Sequence, residues 1–238
     1  MASTNLARRP ARPPEGFYDS EVATPRPLPV RTFLPTGYEP KYAYPLLVFF
    51  HDRGSNEEQI LRLAPHLSRR NYICIGLRGL YEVGIDPKGR SGFSWTRRGD
   101  CDSLVRDYVI RAVEQTRRTY HVHSERIYLA GVGEGAAVAY SLGLSEPEKF
   151  GGLIVLNGSL PRHARSAWRW PEIRQLRVFI GHGLFNPFVP MKLAQDDHRF
   201  LWTAGVDTRL HTYLTDDRVH PDMLRDIDRW IIARCNAE

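Results

Sequence analysis

The stretch Leu129 to Ala137 reads Leu-Ala-Gly-Val-Gly-Glu-Gly-Ala-Ala, an apolar run passing through three alternate glycines into small residues. A turn of the form G-x-S-x-G lets a strand and a helix approach at its outer glycines. Its central residue is held in a strained conformation that presents a hydroxyl for attack on a carbonyl. Here the centre is Gly133, which has no hydroxyl, thiol or carboxylate, so covalent acyl transfer has no nucleophile at this position. Upstream, the apolar run Leu46 to Phe50 ends on His51-Asp52-Arg53-Gly54, where a loop following a strand could lend a main-chain N–H to an oxyanion. Arg53 offers that N–H whatever its side chain. Asp52 brings a carboxylate to a place built for negative charge and opposes oxyanion formation.

Other residue types with chemical potential are scattered. Glu134 and His220 are candidate bases for direct attack by water, but Glu134 opens a helix, where the dipole favours the ionised carboxylate, so capping and solvent contact are its plainer role. His51 and His182 read as hydrogen-bonding residues at strand ends. Asp52, Glu134, Asp217 and the histidines are metal-ligand types, yet they come from separate loops without ligand spacing, so no metal is expected. Cys101 precedes a helix start, where thiolates are activated, but has no evident histidine beside it. Gly92-Phe93-Ser94-Trp95, with Trp168 and Trp170, is expected at a pocket rim, where Phe93 and Trp95 would bind a small apolar or acyl ligand without any triad. No cofactor is implied.

Positioning these residues requires strands that end near one another. Apolar, β-branched runs at Val30–Leu34, Leu46–His51, Tyr72–Leu77, Arg126–Gly131, Leu153–Asn157, Arg177–Gly181 and Thr208–Tyr213 alternate with helical patterns at Glu57–Arg70, Asp102–Tyr120, Glu134–Leu144, Pro190–Ala204 and Pro221–Cys235. In the second helix Leu104, Val105, Tyr108, Val109, Ala112 and Val113 recur at three- and four-residue spacing. Continuous apolar strands between amphipathic helices predict an α/β fold, a mostly parallel sheet covered on both faces, with ligands at the carboxyl ends of the strands. Residues 1–29 carry six prolines and read as a flexible Pro/Arg-rich tail, leaving 30–238 as the domain.

Composition narrows the function classes. The chain has 238 residues, 42% hydrophobic and 25% charged, with no apolar run of membrane-spanning length. Three cysteines without a CxxC pair, and no apolar segment behind the first arginines, suit a reducing, cytoplasmic setting. The net charge of +6 comes from basic residues, almost all arginine, interleaved with acids along the whole chain, which does not favour nucleic acid.

Taken in order, Tyr44-Pro45-Leu46-Leu47-Val48-Phe49-Phe50-His51, Gly92-Phe93-Ser94-Trp95, Gly131-Val132-Gly133-Glu134-Gly135, Gly181-His182-Gly183-Leu184-Phe185-Asn186-Pro187-Phe188-Val189-Pro190 and the closing helix with Trp230 resemble the phospholipase/carboxylesterase branch of the α/β-hydrolase superfamily, which includes acyl-protein thioesterase-like enzymes. The resemblance covers about Val30 to Cys235. It implies an α/β-hydrolase fold with Gly133 where the triad serine would stand, Asn186 where the aspartate would stand and Asp217 where the histidine would stand. None of the three matches. Asn186 can orient an imidazole but cannot stabilise its cation, and Asp217 is a poor base near pH 7. The expectation is a catalytically inactive pseudoenzyme with a ligand- or partner-binding role. The alternative is an active carboxylic-ester hydrolase using a relocated base such as His220 and direct water attack.

Overall fold

The computed structural model describes residues 13–24, 27–85, 89, 91–96, 103–161, 168–169 and 171–235. Ten strands, β1 to β10, occupy Gly16–Val22, Leu28–Leu34, Tyr44–Phe50, Ile73–Leu77, Tyr81–Ile85, Ser91–Ser94, Val122–Val132, Gly152–Leu156, Arg177–Gly183 and Asp207–Tyr213. Six helices, α1 to α6, occupy Glu57–Leu61, Ala64–Leu67, Ser103–Thr119, Glu134–Ser145, Met191–Thr203 and Pro221–Cys235. Eight strands form one sheet in the order β1-β2-β4-β3-β7-β8-β9-β10, parallel from β4 to β10, with β2 antiparallel to both β4 and the edge strand β1. The remaining two, β5 and β6, pair as a separate hairpin.

Both faces of the sheet are buried, and strand alternation divides the core in two. Leu46, Val48, Phe50, Ile73, Ile75, Leu129, Leu153 and Val155 face α3 and α4, while Leu47, Phe49, Cys74, Tyr128, Ala130 and Ile154 face α1, α2 and α6. This two-sided burial is why the strands read as unbroken apolar runs. In α3 the expected stripe is buried from Val105 to Val113, except that Leu104 is exposed in the first turn.

Three expectations change. Residues 16–22 are not tail: they form β1, paired along its length with β2, and its Val22 is buried. The prolines of the segment lie before and after this strand, so counting them across the whole span concealed it. The single helix expected over Glu57–Arg70 is two short ones. Pro65 in the first turn of α2 supplies no N–H to a continuing helix, so the run breaks ahead of it. The β5–β6 hairpin is not among the expected strands: β5 shows only a short alternation of Tyr81, Val83 and Ile85, interrupted by Gly84, and is largely exposed.

Candidate functional site

β7 runs straight into α4 through Gly133, whose φ of 54° and ψ of −116° lie in a region that side chains rarely adopt. The turn is that of a nucleophile elbow. β7 and α4 approach so closely that a Cβ on Gly131 would collide with the Gly135 carbonyl oxygen, and one on Gly135 would collide with the Phe50 carbonyl oxygen at the end of β3. The glycine spacing therefore reflects contact distance as well as conformation.

The loop after β3 lies across this turn. Asp52 Oδ1 accepts from the N–H of Arg53 and the N–H of Glu134, both at 2.7 Å. Those are the main-chain donors of the strand-end loop and of the residue after the elbow centre, the pair that an oxyanion would use. The sequence suggested that Asp52 would stand near them; in the fold it sits on them.

His51 is fully buried. Its Nδ1 lies 2.7 Å from the Asp52 carbonyl oxygen and its Nε2 accepts from Gly79 N–H at 2.9 Å, which puts the ring proton on Nδ1. Burial pushes its pKa down to about 4, so the ring is neutral and works as a brace. His182 is also buried. Its Nε2 is 2.8 Å from the Val189 carbonyl oxygen, and burial lowers its pKa as well.

Glu134 departs from its expected solvent-facing role. Its carboxylate accepts from Ser94 Oγ at 2.8 Å and Trp95 N–H at 3.1 Å, with the Arg53 guanidinium 3.7 Å away, and so ties β6 to the head of α4. The aromatic residues expected to line the pocket are placed otherwise. Trp95 is 1% exposed and packs on Phe50 and His51, its indole N–H donating to the His51 carbonyl at 2.8 Å, which is what permits so large a ring to be buried. Phe93 lies under the Arg78 guanidinium at 4.8 Å and lines a different cavity, with Arg78 and Tyr81. Trp168 is buried against Phe200. Trp170 and Cys101 lie outside the described residues.

A cavity of about 500 Å³ opens at the carboxyl ends of the strands, lined by Asp52, Arg53, Gly133, Glu134, Asn157, Asn186, Phe188, Val189 and Asp217. Gly133, Asn186 and Asp217, far apart in sequence, thus share one cavity. Asn186 Oδ1 accepts from Phe188 N–H at 2.9 Å and Val189 N–H at 3.0 Å, closing the turn that its own side chain organises. His220 is not among the lining residues. Its Nδ1 accepts from Asp222 N–H at 3.2 Å at the start of α6. Among the described residues, no group of three or more His, Cys, Asp or Glu side chains is arranged to hold a metal.

Asn157 is the site residue that sequence reasoning passed over. It follows β8 at φ 53°, is 3% exposed, accepts from Gly183 N–H at 2.8 Å and donates through Nδ2 to the Asp217 carbonyl at 2.9 Å and the Arg218 carbonyl at 3.3 Å. It pins the Asp217 loop to the end of β9. The available signal was the residue type, since asparagine tolerates the left-handed region better than other side chains.

The strand order, with a glycine elbow joining β7 to α4, defines an α/β-hydrolase fold. The chain belongs to the phospholipase/carboxylesterase family, whose model matches residues 40–234. It is 31% identical over 114 residues to acyl-protein thioesterase 1 of Mycosarcoma maydis, a match covering 45% of this chain and 48% of that one, about half of each. In three dimensions it is similar to a Bacillus cereus carboxylesterase, with TM-score 0.67, 16% identity, and coverage of 87% of this chain and 94% of that one. A ferulic acid esterase from Anaeromyces mucronatus gives TM-score 0.71 at 13% identity, covering 94% and 92% of the two chains. At these identities the two structures show the fold alone. Among the described residues, no helix is long and apolar enough to cross a membrane.

Proposed function

We infer that this protein is a pseudoenzyme: it retains the hydrolase scaffold and a cavity at the elbow, performs no serine hydrolysis, and acts by binding. The observation that carries this reading is Gly133 at the centre of an intact elbow, with no side chain to attack a carbonyl. Asn186 and Asp217 support it. The first spends its side-chain oxygen on its own turn, and the second stands at the position where the family resemblance calls for a histidine. The relocated-base alternative is weakened by His220, which is outside the cavity lining with its Nδ1 engaged by Asp222 N–H. The ligand class consistent with the family and with Phe188 and Val189 in the lining is a small apolar or acyl compound; a protein partner is the other occupant, and nucleic acid is disfavoured by the interleaved charges. A cytoplasmic setting belongs to this reading and rests on the sparse cysteines.

The test is hydrolysis of a panel of p-nitrophenyl acyl esters by the purified protein beside a heat-denatured control, with fluorophosphonate labelling read by intact mass. The expected result is no turnover above the control and no adduct. An adduct would mean that a nucleophile acts elsewhere, and turnover without an adduct would favour attack by activated water; either overturns the proposal.

A further inference from the structure

The main-chain donors at the head of α4 already hold a negative oxygen, the chain's own. Asp52 Oδ1 accepts from Arg53 N–H and Glu134 N–H at 2.7 Å each, beside the N-terminus of a twelve-residue helix. Two converging amides and a helix dipole favour a carboxylate in that position. The space it occupies is also the space of a side chain at 133. A Cβ on Gly133 would lie 2.0 Å from Asp52 Oδ1, 2.2 Å from Cγ and 2.5 Å from Oδ2, all below the 3.0 Å that real Cβ contacts respect.

The geometry points to Asp52 as a built-in ligand that occupies the oxyanion pair, shuts this end of the cavity to external carboxylates and acyl oxygens, and takes the space that a side chain at 133 would need. This deepens the reading of the site as non-hydrolytic and rests on that reading for the claim that the cavity binds rather than turns over acyl groups. The pairing itself has two consequences. Any side chain introduced at 133 must push the Asp52 carboxylate aside. Any substitution that withdraws the carboxylate frees two aligned donors for an external one. Gly133→Ser, alone or with Asn186→Asp and Asp217→His, must therefore displace the Asp52 carboxylate from the two amides before its hydroxyl can act.

Three measurements test this. In titrations with hexanoate, a carboxylate with a short apolar tail, Asp52→Gly is expected to bind about tenfold or more tightly than the wild type, the scale of one charge-assisted hydrogen bond. Asp52→Asn, whose side-chain oxygen can still accept from both amides, is expected to show no gain. A folded Asp52→Gly protein with unchanged hexanoate affinity would overturn the occupancy. In a stability cycle, Gly133→Ala should lower the melting temperature by several degrees in the wild type and by clearly less in Asp52→Gly; equal losses would overturn the interlock. A third reading uses the wild type alone: amide hydrogen exchange at Arg53 and Glu134 should be slow, as expected of N–H groups held by the Asp52 carboxylate. Fast exchange at both in the folded wild type overturns the proposal. A fluorophosphonate adduct would defeat the non-hydrolytic reading while leaving these three results standing, and unchanged hexanoate affinity would defeat the plug while leaving that reading standing.

Discussion

At His51 both ring nitrogens are occupied, one by the Asp52 carbonyl and the other by Gly79 N–H, and burial holds the pKa at about 4 against an ordinary 6.5. Between those values the unfolded chain binds a proton that the fold excludes. Stability from this group is therefore complete above about pH 6.5 and is lost as the pH falls from there toward 4. The full difference is about 3 kcal/mol, and buried His182 adds in the same direction. Urea unfolding at pH 7.5 and 4.5 should show the wild type losing about 2 kcal/mol, and His51→Gln a visibly smaller fraction of its own stability. Equal losses in the two proteins would mean that His51 does not govern this window. The residue type was legible as a strand-end brace, whereas its neutrality follows from packing against Trp95, which is far from it in the chain.

Among the elements, the end of β8 decides how the cavity is held together. Asn157 joins β8 to the end of β9 and to the Asp217 loop through three side-chain hydrogen bonds, at a φ of 53°. Asn157→Gly keeps the conformation and loses the bonds; it should cost about 2 kcal/mol or more, because two main-chain carbonyls and one N–H lose their partner. Asn157→Ala should cost more, since it adds strain at positive φ. Thermal unfolding with calorimetry checks the order, and a glycine variant as stable as wild type would remove Asn157 from the framework. The strands and longer helices were legible because burial on both faces leaves continuous apolar runs and an amphipathic period. β5, which is largely exposed, offers only the short alternation of Tyr81, Val83 and Ile85 in place of a continuous apolar run.

Over the whole molecule, the sheet is finished at one edge by β1, which lies inside the segment read as tail. Arg31 bonds Asp19 at 3.1 Å, Arg69 bonds Glu15 at 2.9 Å, and Val22 is 2% exposed, so the strand is fastened by charge at its outer side and by burial at its end. Removing residues 1–23 would leave the donors and acceptors of β2 unpaired along an edge. The shortened protein should elute at higher apparent mass than the full chain in size-exclusion chromatography and melt at lower temperature. Unchanged elution and melting would return this segment to the status of a dispensable tail.

The sequence by itself determined the fold class and the glycine at the centre of the β7–α4 turn, because both are properties of local pattern: periodicity sets strand and helix, and Gly131, Gly133 and Gly135 alternate into the helix. It also implied, through family resemblance, which three positions stand where a triad would. That Gly133, Asn186 and Asp217 share one cavity, that His220, Phe93 and Trp95 do not line it, and that Asp52 accepts from the Arg53 and Glu134 amides were decided only by tertiary structure. The reason is physical. A side chain's role at a site depends on which distant main-chain donors and ring faces it meets, and in this chain Asp52 meets Glu134 across 82 residues, a contact that no local spacing encodes.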